Sequence, residues 1–122
     1  DFNEISGAVV YAAVSVHKEL GPGLLERIYE DALCYELNLR EMSFNRQSVL
    51  DVPYKSKTLE TQFRLDLIVE NEVIVELKNC EKLLPIHEAQ ILTYLKITDK
   101  KLGLLLNFNA PLMKDGIKRM VL

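Results

Sequence analysis

From Asn3 to Leu20, the apolar residues Ile5, Val9, Ala12, Val16 and Leu20 recur at helical spacing. This predicts an amphipathic helix whose start Asn3 or Ser6 could cap. Gly21-Pro22-Gly23 ends it, because glycine reaches backbone angles other residues avoid and proline cannot continue the hydrogen-bond ladder. A second helix is predicted from about Leu24 to Glu41, burying Leu25, Ile28, Tyr29, Ala32, Leu33, Leu37 and Leu39. From Phe44 onward the period drops to that of strands. Val49, Leu50, Val52 and Tyr54 lie in an extended run to Tyr54, and Lys55-Ser56-Lys57 reads as a hairpin turn into Leu59–Val69. Glu70-Asn71-Glu72 is a further turn, followed by a strand from Val73 to Leu77. A helix starts near Pro85, where proline is tolerated, and reaches about Thr98. Lys101–Phe108 is a strongly apolar strand, and Asp115–Leu122 is a short last element of either type. The order α-α-β-β-β-α-β predicts an α/β fold with a mixed sheet flanked by helices. No repeat or linker interrupts it, and 122 residues suffice for one domain and are too few for two.

One strand breaks its own pattern. In Val73-Ile74-Val75-Glu76-Leu77-Lys78 a carboxylate and an ammonium flank one leucine inside a stretch apolar enough to be buried on both faces. Charges there are costly unless paired with each other or with a metal. The bland account is an ion pair on a half-exposed strand. Asp66, ten residues earlier in Arg64-Leu65-Asp66-Leu67-Ile68-Val69, would alone be an edge or turn aspartate. Together, Asp66 and Glu76 on neighbouring strands match what phosphodiester hydrolysis needs: hard oxygen ligands for a divalent cation, with the Leu77 carbonyl as a third. Lys78 shares a face with Glu76, where it could hold the attacking water or steady the phosphate charge. This sets a condition on the hairpin. A two-residue turn at Asn71-Glu72 would put Asp66 opposite Leu77 and Glu76 on the other face. A shared metal demands an odd-length turn, such as Glu70 to Glu72, or a bulge.

Gln90 and Tyr94 follow four residues apart, on one face of the third helix, with His87 three before Gln90. A glutamine amide can hold a water or a phosphate oxygen, and a tyrosine hydroxyl can bind phosphate. The alternative is a core tyrosine with a wet tip beside a surface glutamine. His87 reads as a surface or supporting residue. Glu26, at the start of the second helix, is favoured by the helix dipole without any function.

Composition narrows the setting. The longest apolar runs are far short of the roughly 20 residues a membrane span needs. Cys34 and Cys80 are too few for a disulfide framework and lack zinc-ligand spacing, which points to a reducing cytoplasm. No charged-then-apolar leader opens the sequence. The net charge of −3 argues against avid, nonspecific DNA binding, although carboxylates that hold a cation would account for part of it. Lys55, Lys57, Arg64, Lys78 and Lys82 could gather near one edge.

Gly23-Leu24-Leu25-Glu26-Arg27-Ile28-Tyr29 resembles the signature of the small G-x-x-E-x-x-Y family of bacteria and archaea. The likeness extends over His17-Lys18-Glu19-Leu20 before it, Val75-Glu76-Leu77-Lys78 and His87-Glu88-Ala89-Gln90 in the middle, and Gly103 to Phe108 and Asp115 to Arg119 at the close. That family is similar to the PD-(D/E)XK nucleases, nearest the RecB-like branch with its Q-x-x-x-Y helix. The resemblance implies one restriction-endonuclease-like domain over residues 1–122, with an α-β-β-β-α-β core and an extra N-terminal helix. It also implies metal ligands at Asp66 and Glu76, a catalytic lysine at Lys78, an added carboxylate at Glu26, and the glutamine-tyrosine motif at Gln90 and Tyr94. Leu65 stands where the superfamily's name has proline. The expectation is a Mg²⁺- or Mn²⁺-dependent nuclease acting on DNA rather than RNA. So small a chain offers little surface to grip a duplex, leaving room for a homodimer or a partner protein. Two other readings stand beside it: a noncatalytic nucleic-acid-binding or assembly module, and a metal-dependent enzyme acting on another phosphate ester.

Overall fold

A computed structural model describes residues 1–122. Helix α1 spans Phe2–Leu20 and is capped by Asp1, whose carboxylate accepts the N–H groups of Asn3 and Glu4 at 3.0 Å each. Neither Asn3 nor Ser6 caps it. Ser6 instead donates its hydroxyl to the Asn3 carbonyl. Helix α2 covers Glu26–Leu39 and buries the stripe Tyr29, Glu30, Leu33, Cys34 and Leu37. Leu25, Ile28 and Leu39, expected in the core, are exposed instead. Leu25 lies just before the helix, and Leu39 sits about half a turn away from Leu37 on the stripe.

Strands β1 (Phe44–Leu50), β4 (Phe63–Val69), β5 (Val73–Lys78), β6 (Leu102–Asn107) and β7 (Ile117–Val121) form one sheet in the order β1-β4-β5-β6-β7. Only β5 and β6 run parallel, joined by helix α3 (Pro85–Thr98) as the crossover. One face packs α1 and α2 through Val9, Leu33 and Leu37 against Val75, Leu77 and Leu104. The other packs α3 through Ile91, Tyr94 and Leu95 against Ile68, Ile74 and Leu105. This double coverage explains why β5 and β6 read as continuous apolar runs. No helix is long and apolar enough to cross a membrane.

Two expected strands are shorter than the sequence pattern suggests. The run Phe44–Tyr54 breaks after Leu50, and the one starting at Leu59 joins the sheet only at Phe63. Between them β2 (Pro53–Tyr54) and β3 (Lys57–Thr58) make a separate small hairpin. Residues 53–62 are exposed, so no layer rewards extending the sheet through them. The last element is a 3₁₀ turn, Met113–Gly116, followed by β7, antiparallel to β6. A Cβ at Gly116 would lie 2.2 Å from the Asn107 carbonyl oxygen, so only glycine lets this turn close.

Candidate metal centre

The β4–β5 connection is Glu70-Asn71-Glu72, with Glu70 and Asn71 both in the left-handed region. This odd length sets the register: Val69 faces Val73, Ile68 faces Ile74 and Leu67 faces Val75. The next row would place Asp66 opposite Glu76. There the ordinary ladder stops, and side chains take over its hydrogen bonds. Glu76 Oε1 accepts the Asp66 N–H at 2.9 Å, and Asp66 Oδ2 accepts the Leu77 N–H at 2.8 Å. Each carboxylate is pinned by the backbone of the other's strand, while Glu76 Oε2 accepts no protein hydrogen bond.

The charge in this opening is unbalanced. Glu76 is only 5% exposed. Burial first, and the Asp66 charge second, push its carboxyl up to about 8, against the pull of the Asp66 N–H and of Lys78. Asp66 is also raised, chiefly by burial, with the Leu77 N–H working in the other direction. Two acids that resist ionising side by side fit a site that a divalent cation would complete. Lys78 Nζ donates to Gln90 Oε1 at 3.3 Å, tying the end of β5 to α3. Tyr94 is buried edge-on against Phe63, and burial followed by the Glu76 and Asp66 charges raises its phenol to about 12. It therefore stays a neutral donor beside the acids. Gln90, Lys78, His87 and Thr93 line an open cleft on α3. His87 Nδ1 accepts the Leu84 N–H at the helix start, a capping role.

The glycine loop before Glu26 sets it at the rim of this site. Gly21 and Gly23 have φ of 71° and 96°, which a side chain would strain. Tyr29 holds the loop: its hydroxyl donates to the Gly21 carbonyl at 2.5 Å and accepts the Leu24 N–H at 3.1 Å. Its ring stacks on Phe108 at 4.7 Å. Asn79 adds a bond to the Leu24 carbonyl, so the start of α2 is fastened to the end of β5. Glu26 itself remains exposed. Its carboxyl is raised by partial burial, then by the Asp66 charge, and lowered by Lys78. No three His, Cys, Asp or Glu side chains converge closely enough to hold a metal ion. The structure thus brings Asp66 and Glu76 together, with Lys78, Gln90 and Tyr94 around them, and leaves Glu26 at the rim. Two carboxylates with backbone and water oxygens are the usual provision for Mg²⁺.

A model of the PD-(D/E)XK nuclease superfamily matches residues 3–120. The chain belongs to that superfamily. No curated protein and no solved structure gives a significant match. PD-(D/E)XK proteins are generally nucleases and usually employ divalent metals. The sheet order, the parallel β5–β6 pair and the α3 crossover make this a restriction-endonuclease-like α/β fold with an added N-terminal helix.

Three residues around the Asp66–Glu76 pair carry no mark in the sequence reading. Gln47, opposite Asp66 on β1, adopts φ 51° and donates from Nε2 to both Glu30 Oε1 (2.8 Å) and Asp66 Oδ1 (3.3 Å). Glu30 is buried and neutralised by Arg46, whose Nη2 lies 2.7 Å away. Arg46 also bridges to Asp31. Glu30 follows Glu26 by one helical turn, a spacing that would have flagged it. The left-handed backbone at Gln47 leaves no sequence signal.

Proposed function

We propose that this protein is a nuclease that hydrolyses phosphodiester bonds in DNA with a bound Mg²⁺ or Mn²⁺ ion. In this reading Asp66 and Glu76 hold the ion with the Leu77 carbonyl, and Glu26 contributes from the rim. When bound, the ion would polarise the phosphate and offset the charge gathering on its oxygens. Lys78 then presents its ammonium to the attacking water and to the phosphate, its reach limited by Gln90. Tyr94, protonated at any ordinary pH, donates a hydrogen bond to a phosphate oxygen. Gln90 positions water or phosphate beside Lys78. The observation that supports this is the reciprocal bonding of Asp66 and Glu76 across β4 and β5, which brings two acids from different strands side by side.

Within the superfamily the motif from Gly23 to Tyr29 and the Gln90–Tyr94 helix support the G-x-x-E-x-x-Y family and the RecB-like branch. A cytoplasmic location and a homodimer or partner protein complete the proposal. The deciding experiment incubates plasmid and single-stranded DNA with the protein and Mn²⁺ or Mg²⁺. Cleavage is expected with either ion and is abolished by chelation and by Glu76→Ala. Lys78→Ala is expected to lose cleavage while still binding Mn²⁺. An intact chain that binds Mn²⁺ yet cuts no DNA would contradict the proposal and favour a noncatalytic nucleic-acid-binding or assembly module.

A further inference from the structure

The small β2–β3 hairpin is not needed by the core. Both of its strands are exposed, and it pairs with no strand of the main sheet. It is nevertheless held in shape: Leu59 N–H donates to the Val52 carbonyl at 3.0 Å, Pro53 pairs with Thr58, and Tyr54 pairs with Lys57. Its place in the fold follows from register. β1 and β4 pair as far as Leu50 opposite Phe63, and the chain between those residues forms the hairpin. Antiparallel pairing puts the start of β4 level with the end of β5, where Glu76 and Lys78 lie. The hairpin therefore extends beyond the end of the sheet that carries the acids.

Its chemistry differs from that of the protein as a whole. Tyr54 is 58% exposed, and Lys55 Nζ sits 5.6 Å from its ring centroid. Lys55, Lys57 and Arg64 form no ion pair in a chain of net charge −3. Asp51 accepts a hydrogen bond from Gln62 at 2.8 Å and Glu60 lies in the exposed loop that follows, and neither forms an ion pair with these cations. A solvent-facing tyrosine, with Lys55 over one face of its ring and Lys57 across the hairpin, matches what an unpaired nucleic-acid strand offers, a free base face between phosphates. A duplex leaves no such face along its length.

We propose that this hairpin grips an unpaired strand next to the scissile phosphate, Tyr54 stacking on a base while Lys55 and Lys57 meet the backbone. The orientation toward a scissile phosphate rests on the nuclease reading above; the gripping surface does not. Tyr54 follows Gln47, which faces Asp66, by seven residues, so its Cα lies at most about 25 Å from that of Gln47 and within about 30 Å of that of Asp66 across the strand pair. That distance is a few nucleotides of single strand. The site thereby selects single strands, flaps or frayed ends over closed duplex.

The test measures fluorescence anisotropy of labelled oligothymidylate, oligouridylate and a hairpin-free DNA duplex, using full-length Glu76→Gln protein to prevent turnover. Tyr54→Ala is expected to weaken single-strand binding about tenfold and duplex binding less than twofold, with Tyr54→Phe retaining full affinity. Lys55→Ala with Lys57→Ala should lower the salt slope on the single strand by about 1.4. Equal preference for thymidylate and uridylate would assign the surface to single strands of either sugar, and a preference for one assigns it to that sugar. Unchanged affinity in all the hairpin variants overturns the proposal, as does an equal loss on duplex. Parallel cleavage by protein with Glu76 intact separates the two readings. Cleavage without dependence on the hairpin leaves the nuclease standing and removes the grip. Hairpin-dependent binding without cleavage does the reverse.

Discussion

Replacing Glu76 by glutamine should make the metal-free protein more stable at high pH while removing its capacity for metal. In the folded state the Glu76 carboxyl is pushed up to about 8 from an ordinary 4.5, first by burial and then by Asp66. Between those values the folded protein holds a proton that the unfolded chain has released. Stability from this group is therefore complete below about pH 4.5 and is lost as pH rises through about 8. The full interval corresponds to roughly 5 kcal/mol. A difference of at least about 2 kcal/mol between the two proteins is expected. Glutamine keeps an oxygen to accept the Asp66 N–H, now at 2.9 Å from Glu76 Oε1, so packing and the strand bridge survive. Urea unfolding in chelator at about pH 5 and about pH 9 tests this. The native protein should lose stability between the two, and Glu76→Gln, in which only the raised Asp66 and Glu26 carboxyls still titrate, should lose less and finish the more stable. Saturating Mn²⁺ should then reverse the order near neutral pH, stabilising the native protein by about 2.7 kcal/mol at a hundredfold excess over Kd. Parallel pH profiles for the two proteins would refute the claim that the acids are held together against their mutual repulsion.

Other consequences follow from single contacts. Gln47→Gly relieves the left-handed backbone at φ 51° but removes the amide that orients Asp66, so Mn²⁺ affinity by calorimetry should fall about tenfold with little loss of Tm. Unchanged affinity would make Gln47 a bystander. Tyr29→Phe keeps the stack on Phe108 and strips the loop of two hydrogen bonds, and should cost roughly 1–3 kcal/mol in urea unfolding. An unaltered midpoint would mean the loop holds itself. Gly116→Ala drives a methyl against the Asn107 backbone carbonyl and should cost at least about 2 kcal/mol. Gly103→Ala presses on the Ile91 side chain, with the nearest backbone atom 3.5 Å away, and should cost less; the same unfolding assay ranks them.

The parts of the fold that were legible in the sequence are those where one periodicity dominates. Val73–Leu77 and Lys101–Phe108 read as buried strands because helices cover both faces of the sheet there. The odd turn at Glu70–Glu72 could be anticipated because the chemistry required Asp66 and Glu76 to share a side. Burial on α2 was overestimated because Leu25, Ile28 and Leu39 are apolar without lying on the buried stripe, and composition carries no face. The break at Leu50 was missed because Val52 and Tyr54 continue the alternation beyond the last strand that could pair with them. Gln47 is invisible in the sequence because its role arises from backbone angle and cross-strand register rather than residue type, whereas Glu30 lies one helical turn after Glu26 and only its partners Gln47 and Arg46 are hidden. Tyr29 was expected in the core and is there. Its bracing of the glycine loop depends on contacts that spacing alone cannot specify.

The central claim is that Asp66 and Glu76 act as one ligand pair. Anomalous diffraction from crystals soaked in Mn²⁺ tests it most directly. The account predicts one strong peak between these carboxylates, with oxygens of both at roughly 2.0–2.3 Å and the Leu77 carbonyl completing the protein share. A peak on one carboxylate alone, or no peak at saturating Mn²⁺, would contradict it.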